Sequence, residues 1–166
     1  TKASPKDFLT RTKKINLRNS IFVDNTASLE ISRFYSKYLK KSIAVVTCNK
    51  IACADDYDNY KNLKFLSKNY NAPFLFETNV GASLPIIDTL NNLVNSGDKI
   101  ISIQAVLSGS LNYIFNNFKK ENTFHNIVDD AKKLGFTEPD PKIDLSGVDV
   151  ARKILILAKR NSIKQL

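Results

Sequence analysis

Carboxylates crowd the stretch from residue 135 to residue 153, which also contains two prolines and ends on a lysine. Pro139 and Pro141 fix φ and disfavour the helical region for the residue before each of them. We therefore predict a stiff extended turn over residues 137–142. Like charges brought together are costly unless a cationic ligand, a metal or a lysine offsets them. Glu138, Asp140 and Asp144 are expected to converge on this turn, and a site that binds an ammonium group would offset their charges.

A helix is predicted directly after this turn. Ser146 and Asp149 have the spacing of a capping box, and a buried stripe is expected from Val150, Ile154 and Leu157. Asp149 and Lys153 then lie one turn apart on one face. An ordinary surface ion pair, contributing about 0.2 to 0.5 kcal/mol, has the same spacing and stays an alternative.

Four sequence motifs carry a resemblance to a known family. They are GFTEPDPKIDLSGVDVARK at 135–153, ETNVGASLP at 77–85, LSGSLNYI at 107–114 and VVTCNK at 45–50. Each resembles an element of homoserine dehydrogenase, and the first matches that family's signature at every defining position. Together the motifs indicate a resemblance over roughly residues 20 to 160. The sequence is most similar to the family members that are fused to an aspartate kinase.

The resemblance implies a reaction and a set of residues for it. The family interconverts aspartate 4-semialdehyde and L-homoserine with NADP or NAD, within threonine, methionine and isoleucine biosynthesis. Lys153 is implied as general acid and base, and Lys50 as a second proton-handling or cofactor-orienting group. The implied substrate-binding residues are Glu138 and Asp149 at the ammonium, with Asp144 and Asp140 in support. Ile143 stands where the family often has an acidic residue, and Cys48 where it usually has proline.

Cofactor contacts are expected at the end of the first strand. The polar turn at Asn25 and Thr26 follows an apolar strand, and nucleotides bind at the carboxyl ends of strands in open α/β sheets. By resemblance this turn touches the cofactor, although a helix cap at Thr26 or Ser28 is an open alternative.

A monovalent cation, sodium or potassium, is a further implication of the resemblance. Its ligands would be Glu77 and the carbonyls of Val80, Ala82 and Leu84, and oxygen ligands suit a hard cation. Ser83 replaces a glycine of the family, so this residue either has negative φ or is strained.

The turn at residues 108–110 leads into a predicted helix. Its free N–H groups could hold an anion such as a substrate carboxylate, and an ordinary serine cap is the alternative.

Composition restricts the class of protein. The chain has 166 residues, 43% of them hydrophobic, and a formal net charge of +9. The basic residues are scattered in short groups without interleaved aromatic residues, so we do not expect nucleic acid as a partner. No apolar run is long enough to span a membrane and no signal peptide is evident, which predicts a cytoplasmic protein. Cys48 and Cys53 are expected to be buried thiols.

The elements that must position these residues alternate between strand and helix. Parallel βαβ units are expected, and with them an α/β fold: a partial Rossmann-type sheet followed by a mixed α/β substrate and dimerisation domain. We divide the chain into residues 1–80, the second half of an NAD(P)-binding domain, and residues 81–166, an incomplete catalytic domain. The predicted strands are 20–24, 42–48, 73–77 and 99–107, and the predicted helices are 29–40, 57–70, 84–95, 110–119, 124–134 and 148–160.

One absence limits what this sequence can do alone. A dinucleotide fold opens with a strand and G-x-G-x-x-G, whose backbone holds the pyrophosphate, whereas the first glycine here is Gly81. We therefore expect a fragment that is itself inactive and whose parent is a homo-oligomer, a dimer or higher. A non-catalytic interaction or dimerisation domain is the alternative, and in that case the acidic turn and the Asp149–Lys153 pair would be surface features.

Overall fold

A computed structural model of the protein describes residues 4–15, 17–119 and 122–160. Residues 120, 121 and 161–166 of the predicted second domain lie outside these ranges, as do residues 1–3 and 16 of the first. None of the described helices is both long and apolar enough to cross a membrane. The elements, in chain order, are helix α1 (Pro5–Ile15), strand β1 (Ile21–Asp24), helices α2 (Leu29–Ser32) and α3 (Tyr35–Leu39), strand β2 (Ala44–Thr47), helices α4 (Lys50–Ala54) and α5 (Tyr57–Asn69), strand β3 (Phe74–Leu75), a 3₁₀ turn (Glu77–Asn79), and helices α6 (Ile86–Asn95), α7 (Gly109–Asn117), α8 (Phe124–Lys133), α9 (Pro141–Leu145) and α10 (Val148–Arg160).

The described strands form one parallel sheet in the order β1-β2-β3. Ile21 pairs with Ala44 and Asp24 with Thr47, so β1 and β2 end at the same level. Val45 pairs with Phe74 across the other edge of β2. The predicted α/β fold with a partial Rossmann-type parallel sheet is confirmed. Its physical basis is the alternation of short apolar strands with amphipathic helices. Each helix returns the chain to the end of the sheet where the previous strand began, so the next strand runs parallel to it.

The main core packs the sheet against helices from both halves of the chain. Tyr35, Leu39 and Val45 are fully buried in it, and so is Ile156 from α10. A smaller cluster joins α7 to α8 through Ile114, Ile127, Val128 and Ala131. Cys53 is buried and Cys48 half-buried, and within the described ranges neither forms a disulfide.

Several predicted elements differ from those observed. The helix predicted over 29–40 is two short helices, because Ser32 Oγ bonds the carbonyl of Leu29 at 2.8 Å and the Phe34 N–H turns tightly to Ile31. β3 is shorter than predicted, since the chain enters the 3₁₀ turn at Glu77. The predicted strand 99–107 is wrong: this segment has no regular structure, and no described strand pairs with it. Its apolar run has the pattern of a strand, but within the described residues it lacks the backbone hydrogen bonds to a neighbouring strand that define one.

The acidic turn and the helix after it are also built differently. The chain is extended only as far as Asp140, because Asp140 caps α9 and Pro141 takes its first position, which suits proline. The predicted capping box is wrong, since Ser146 ends α9 and its hydroxyl donates to Ile143 O at 2.7 Å. α10 starts after Gly147, at φ 69°. Of the predicted stripe only Leu157 is buried, and Ile156 beside it replaces Ile154 in the core.

Candidate active site

Helix α10 packs against α4 and brings three charged side chains together. Lys50 is the first residue of α4, and Asp149 lies in the first turn of α10, with Lys153 one turn farther on. Asp149 Oδ1 is 3.2 Å from Lys50 Nζ, and Asp149 Oδ2 is 2.7 Å from Lys153 Nζ. A single carboxylate therefore bridges two lysines that come from different halves of the chain.

Electrostatics keep this carboxylate ionised. Partial burial works to raise the pKa of Asp149, but the hydrogen bond from Lys153 and the charges of both lysines outweigh it, so the pKa is lowered. The side chain of Asp149 keeps about half of its exposure, 54%, whereas Lys153 retains 19%. The bridge is consequently a half-open site rather than a sealed ion pair.

Lys153 is held by a second partner. Its Nζ donates to the carbonyl of Leu107 at 2.7 Å, in the irregular segment before α7. An ammonium group has three donors, so the two bonds to Asp149 and Leu107 leave one hydrogen for a further acceptor. The orientation of that hydrogen is restricted by the other two.

The far end of α10 also holds α4. Lys159 is buried, and its Nζ lies 3.5 Å from the carbonyl of Cys53 in the last turn of α4. Burial lowers the pKa of Lys159, although the nearby Asp55 and Asp56 act to raise it. α10 thus contacts α4 near both of its ends, through Asp149 at Lys50 and through Lys159 at Cys53, which aligns Lys50 with Asp149.

A cavity of about 500 Å³ opens beside the two lysines. Both Lys50 and Lys153 line it, together with the loop after the 3₁₀ turn and the start of α7. Asn79, fully buried, joins this loop to the sheet: with its amide nitrogen turned toward β2, it donates to the carbonyls of Thr47 at 3.1 Å and Cys48 at 3.0 Å. The remaining lining residues are Thr78, Gly81, Ala82, Leu84, Ile86, Val106, Leu107, Ser108, Gly109 and Asn112.

The other predicted carboxylates lie in and around the acidic turn. Asp144 is a clamp, since Oδ1 accepts from Ser110 Oγ at 2.8 Å and Oδ2 from the Glu138 N–H at 2.9 Å. Asp140 accepts from the Lys142 N–H at 3.1 Å as the cap of α9. The side chain of Glu138 is exposed. Asp144 and Asp140 thus hold the turn through backbone N–H groups and one hydroxyl, and the Glu138 carboxylate is left exposed.

At the end of β1, Asn25 and Thr26 are both exposed. The Thr26 hydroxyl accepts from the Ser28 N–H at 3.1 Å, and Ser28, not Thr26, caps α2 through the Ile31 N–H at 3.3 Å. Of the two cap positions left open by the sequence, the structure selects Ser28. The side chains of Asn25 and Thr26 are placed at the carboxyl edge of the sheet, where a nucleotide could contact them.

A buried polar network behind this edge was missed from the sequence. The carboxylate of Asp24, 2% exposed, accepts from Tyr35 OH at 2.5 Å, from the Thr26 N–H at 2.8 Å and from Asn49 Nδ2 at 3.1 Å. Burial acts to raise the pKa of Asp24, yet these hydrogen bonds lower it overall, and burial with the neighbouring carboxylate raises the pKa of Tyr35. An aspartate closing an apolar strand, Ile-Phe-Val-Asp, was the available signal.

The predicted cation loop has a different use for its carboxylate. Glu77 Oε1 accepts from the Ile87 N–H at 2.8 Å and Oε2 from the Asp88 N–H at 2.9 Å, so Glu77 caps α6. The left-handed residues are Gly81, φ 82°, and Ala82, φ 51°, and Ser83 is not among them. A Cβ on Gly81 would lie 2.4 Å from Ile86 Cδ1, which restricts this position to glycine. The described residues contain no group of three or more His, Cys, Asp or Glu able to hold a metal.

Comparison with known proteins identifies the family. Residues 85–164 match the family model described as homoserine dehydrogenase, and residues 2–77 match the model for the homoserine dehydrogenase NAD binding domain. The chain belongs to the homoserine dehydrogenase family. The family resemblance seen in the sequence is thereby confirmed.

Individual homoserine dehydrogenases align over most of the chain. It is 47% identical over 145 residues to the chloroplastic bifunctional aspartokinase/homoserine dehydrogenase 1 of Zea mays, covering 87% of this chain and 16% of that protein. It is 40% identical over 168 residues to the homoserine dehydrogenase of Saccharomyces cerevisiae, covering 99% and 46%. A hyperthermophilic archaeal homoserine dehydrogenase in complex with NADPH superposes with a TM-score of 0.82 at 33% identity, covering 97% of this chain and 48% of that one. The chain spans less than half the length of each.

Proposed function

We propose that a full-length protein containing this chain catalyses the NAD(P)H-dependent interconversion of aspartate 4-semialdehyde and L-homoserine. The observation that carries the proposal is the Lys50–Asp149–Lys153 bridge, whose two lysines line a cavity near the carboxyl end of the parallel sheet. Family membership supplies the reaction. In support, one lysine comes from the part matching the NAD-binding model and the other from the part matching the dehydrogenase model.

Lys153 acts on the substrate oxygen in this proposal. Its free ammonium hydrogen protonates the carbonyl oxygen as the aldehyde is reduced, and the neutral amine takes that proton back in the reverse direction. Asp149 and Leu107 O orient the ammonium group through their 2.7 Å contacts. Lys50 holds the other oxygen of Asp149 and contributes a second positive charge beside the cavity.

The amino acid part of the substrate has separate contacts. Asp149 and Glu138 bind its ammonium group, and Asp144 and Asp140 keep the turn that carries Glu138 in place. The first N–H groups of α7, at Gly109 and Ser110, donate to its carboxylate, because a helix N-terminus attracts anions and Gly109 lines the cavity.

The part of the site facing the cofactor fits a nicotinamide nucleotide. Asn25 and Thr26 are exposed at the carboxyl end of β1, and Lys50 follows the end of β2. When bound, the nicotinamide supplies or accepts the hydride. We propose that residues 1–80 form part of the cofactor domain and residues 81–166 part of the catalytic domain. A homo-oligomeric parent and a cytoplasmic location remain predictions from the sequence.

A monovalent cation at the 77–84 loop is also a proposal. Each carboxylate oxygen of Glu77 accepts one backbone N–H and keeps a further lone pair, so the carbonyls of Val80, Ala82 and Leu84 would complete the ligand set. In the full-length enzyme, Ser83→Gly should leave activation by sodium or potassium unchanged or strengthen it. Titration of each ion against activity measures this, and weaker activation in the glycine variant would contradict the proposed loop.

The proposed reaction is tested by replacing the carboxylate that carries it. In the full-length enzyme, Asp149→Asn should lower kcat and raise the KM for aspartate 4-semialdehyde, measured from NADPH oxidation. Asp130→Asn is the matched control, since Asp130 and Lys133 form an exposed pair at 3.4 Å on α8. Parent-like kinetics in Asp149→Asn, or an equal loss in the control, would refute the proposed site.

A further inference from the structure

Asn49 is the residue immediately before Lys50, and it is 1% exposed. Its Oδ1 accepts from the Ile51 N–H at 3.1 Å, which caps α4. Its Nδ2 donates to Asp24 Oδ2 at 3.1 Å and to the carbonyl of Ser28 at 2.9 Å. Its own N–H donates to Thr47 Oγ1 at 2.8 Å. Both polar groups of the Asn49 side chain are therefore hydrogen-bonded. The residue has hydrogen bonds to the sheet, to the 24–28 turn and to α4.

These bonds exceed what a helix cap needs. α4 has five residues, and a serine would cap it equally well. The additional donors of Asn49 reach across to Asp24, whose charge is itself held by Tyr35 and the Thr26 N–H. A buried carboxylate at the end of β1 is thus linked by one side chain to the first residue of α4. Lys50 directly follows Asn49, and its Nζ lies 3.2 Å from Asp149 Oδ1.

We propose that Asn49 is a positioning residue that sets where the Lys50 ammonium group meets Asp149. If the amide is shortened, the start of α4 keeps its cap but loses its tie to Asp24 and Ser28. Lys50 then shares Asp149 less closely, and Lys153 becomes the main partner of that carboxylate. The functional meaning of this position rests on the proposed function, whereas the placement of Lys50 can be measured without any activity.

The test measures the reactivity of each lysine in this chain. Trace acylation by acetic anhydride, resolved by mass spectrometry, compares Lys50 and Lys153 with exposed Lys132. Asn49→Ser should raise the acylation of Lys50 relative to Lys132 by about threefold, because partly exposed ion pairs are weak. Asp56→Ser is the control: Asp56 caps α5 through the Asn59 N–H at 2.7 Å and follows the end of α4 opposite to Lys50.

A double-mutant cycle separates positioning from general loosening. Once Asp149→Asn has removed the partner, adding Asn49→Ser should change the Lys50 acylation no further. An unchanged Lys50 in Asn49→Ser, a uniform rise at all lysines, or the same rise in the Asp149→Asn background would each overturn the proposal. Should Asn49→Ser fail to fold by circular dichroism, Asp24→Asn removes the charge that holds Asn49 Nδ2, and Lys50 must then show the selective increase.

Failure of this proposal is distinguishable from failure of the proposed function. If the acylation of Lys50 is unchanged in Asn49→Ser while Asp149→Asn loses activity as expected, only the positioning role of Asn49 is rejected. A selective rise in Lys50 acylation beside an Asp149→Asn enzyme with parent-like kinetics would reject the reaction and keep the positioning role.

Discussion

At the residue scale, the informative arrangement is one carboxylate shared by two lysines. Asp149 and Lys153 have the spacing of an ordinary helical pair, and by themselves they would suggest no chemistry. The third member, Lys50, and the carbonyl of Leu107 convert the pair into a restricted site beside a cavity. Lys153 is then oriented by two partners with one donor left over, and this free donor is the one that the proposed proton transfer uses.

The role of Lys153 can be separated from its charge. In the full-length enzyme, Lys153→Arg keeps a cation opposite Asp149, but a guanidinium does not deprotonate in proteins. We expect kcat to fall about 10²- to 10⁴-fold, the usual contribution of general acid–base catalysis, with the fold retained. Steady-state rates of NADPH oxidation measure this, with Lys133→Arg on α8 as the control. An arginine variant within about threefold of the parent would exclude proton transfer by Lys153.

The lowered pKa of Asp149 predicts a pH dependence of stability. Its folded pKa lies below the ordinary value of 3.8, so its contribution is present above that pH and is lost as pH falls through the folded pKa. The parent should therefore exceed Asp149→Asn in free energy of unfolding near pH 6, by about 1 kcal/mol or less because the group is half exposed. The difference should vanish in strong acid. Urea denaturation from pH 6 to pH 2 measures it, and a gap that widens in acid would contradict the assigned direction.

At the scale of elements, side chains near strand ends fix the helices that carry the site. Glu77 bonds two backbone N–H groups of α6, and Asp144 ties the acidic turn to the start of α7. Asn49 and Asp24 do the same for α4 and β1. Carboxylates that the motif suggested as ligands thus serve partly as caps, because an ionised acceptor stabilises the unpaired N–H groups of a helix start.

Removing the cap of α6 should be measurable in this chain. Glu77→Ala leaves the Ile87 and Asp88 N–H groups without their acceptor, and we expect a loss of about 0.5 to 2 kcal/mol in the free energy of unfolding. Chemical denaturation followed by circular dichroism measures the loss. Thr78→Ala, an exposed neighbour in the same 3₁₀ turn, is the control and should change stability by less than about 0.5 kcal/mol. Equal stability of the two variants would show that the Glu77 contacts contribute little.

At the scale of the whole molecule, the two matched parts share one core. Ile156 and Leu157 of α10 are buried in the same cluster as Val45 of the sheet, so α10 is anchored in the part that matches the NAD-binding model. Large apolar side chains are nevertheless exposed on the edge strand β1 and in the segment before α7, among them Ile21, Ile101 and Val106. The chain spans less than half of its compared relatives, which include these regions within longer proteins.

We expect the chain as given to bind NADPH far more weakly than a full-length enzyme and not to turn over. The reason is that it has no G-x-G-x-x-G loop, and pyrophosphate is normally held by the backbone N–H groups of that loop. Fluorescence titration with NADPH, beside a full-length homoserine dehydrogenase as the reference, measures the affinity. Saturable micromolar binding together with reduction of aspartate 4-semialdehyde would refute this expectation.

Short-range features of this protein followed from the sequence. The parallel βαβ order, helices α5, α7, α8 and α10, and the Asp149–Lys153 spacing could all be predicted, since strand and helix periods and turn residues act over a few positions. The motif at residues 135–153 was also enough to indicate the family, because its residue types and spacing are specific over a long run.

Only the tertiary structure decided which distant groups meet. Lys50 contacts Asp149 because α10 packs on α4. Asp24 is the acceptor of a buried hydrogen-bond network because Tyr35 and Asn49 donate to its carboxylate. The segment 99–107 has the pattern of a strand yet is not one, since a strand requires a partner and no described strand lies beside it. Local patterns specify what each segment can form, whereas hydrogen bonds and ion pairs between distant residues depend on packing that no short window of sequence contains.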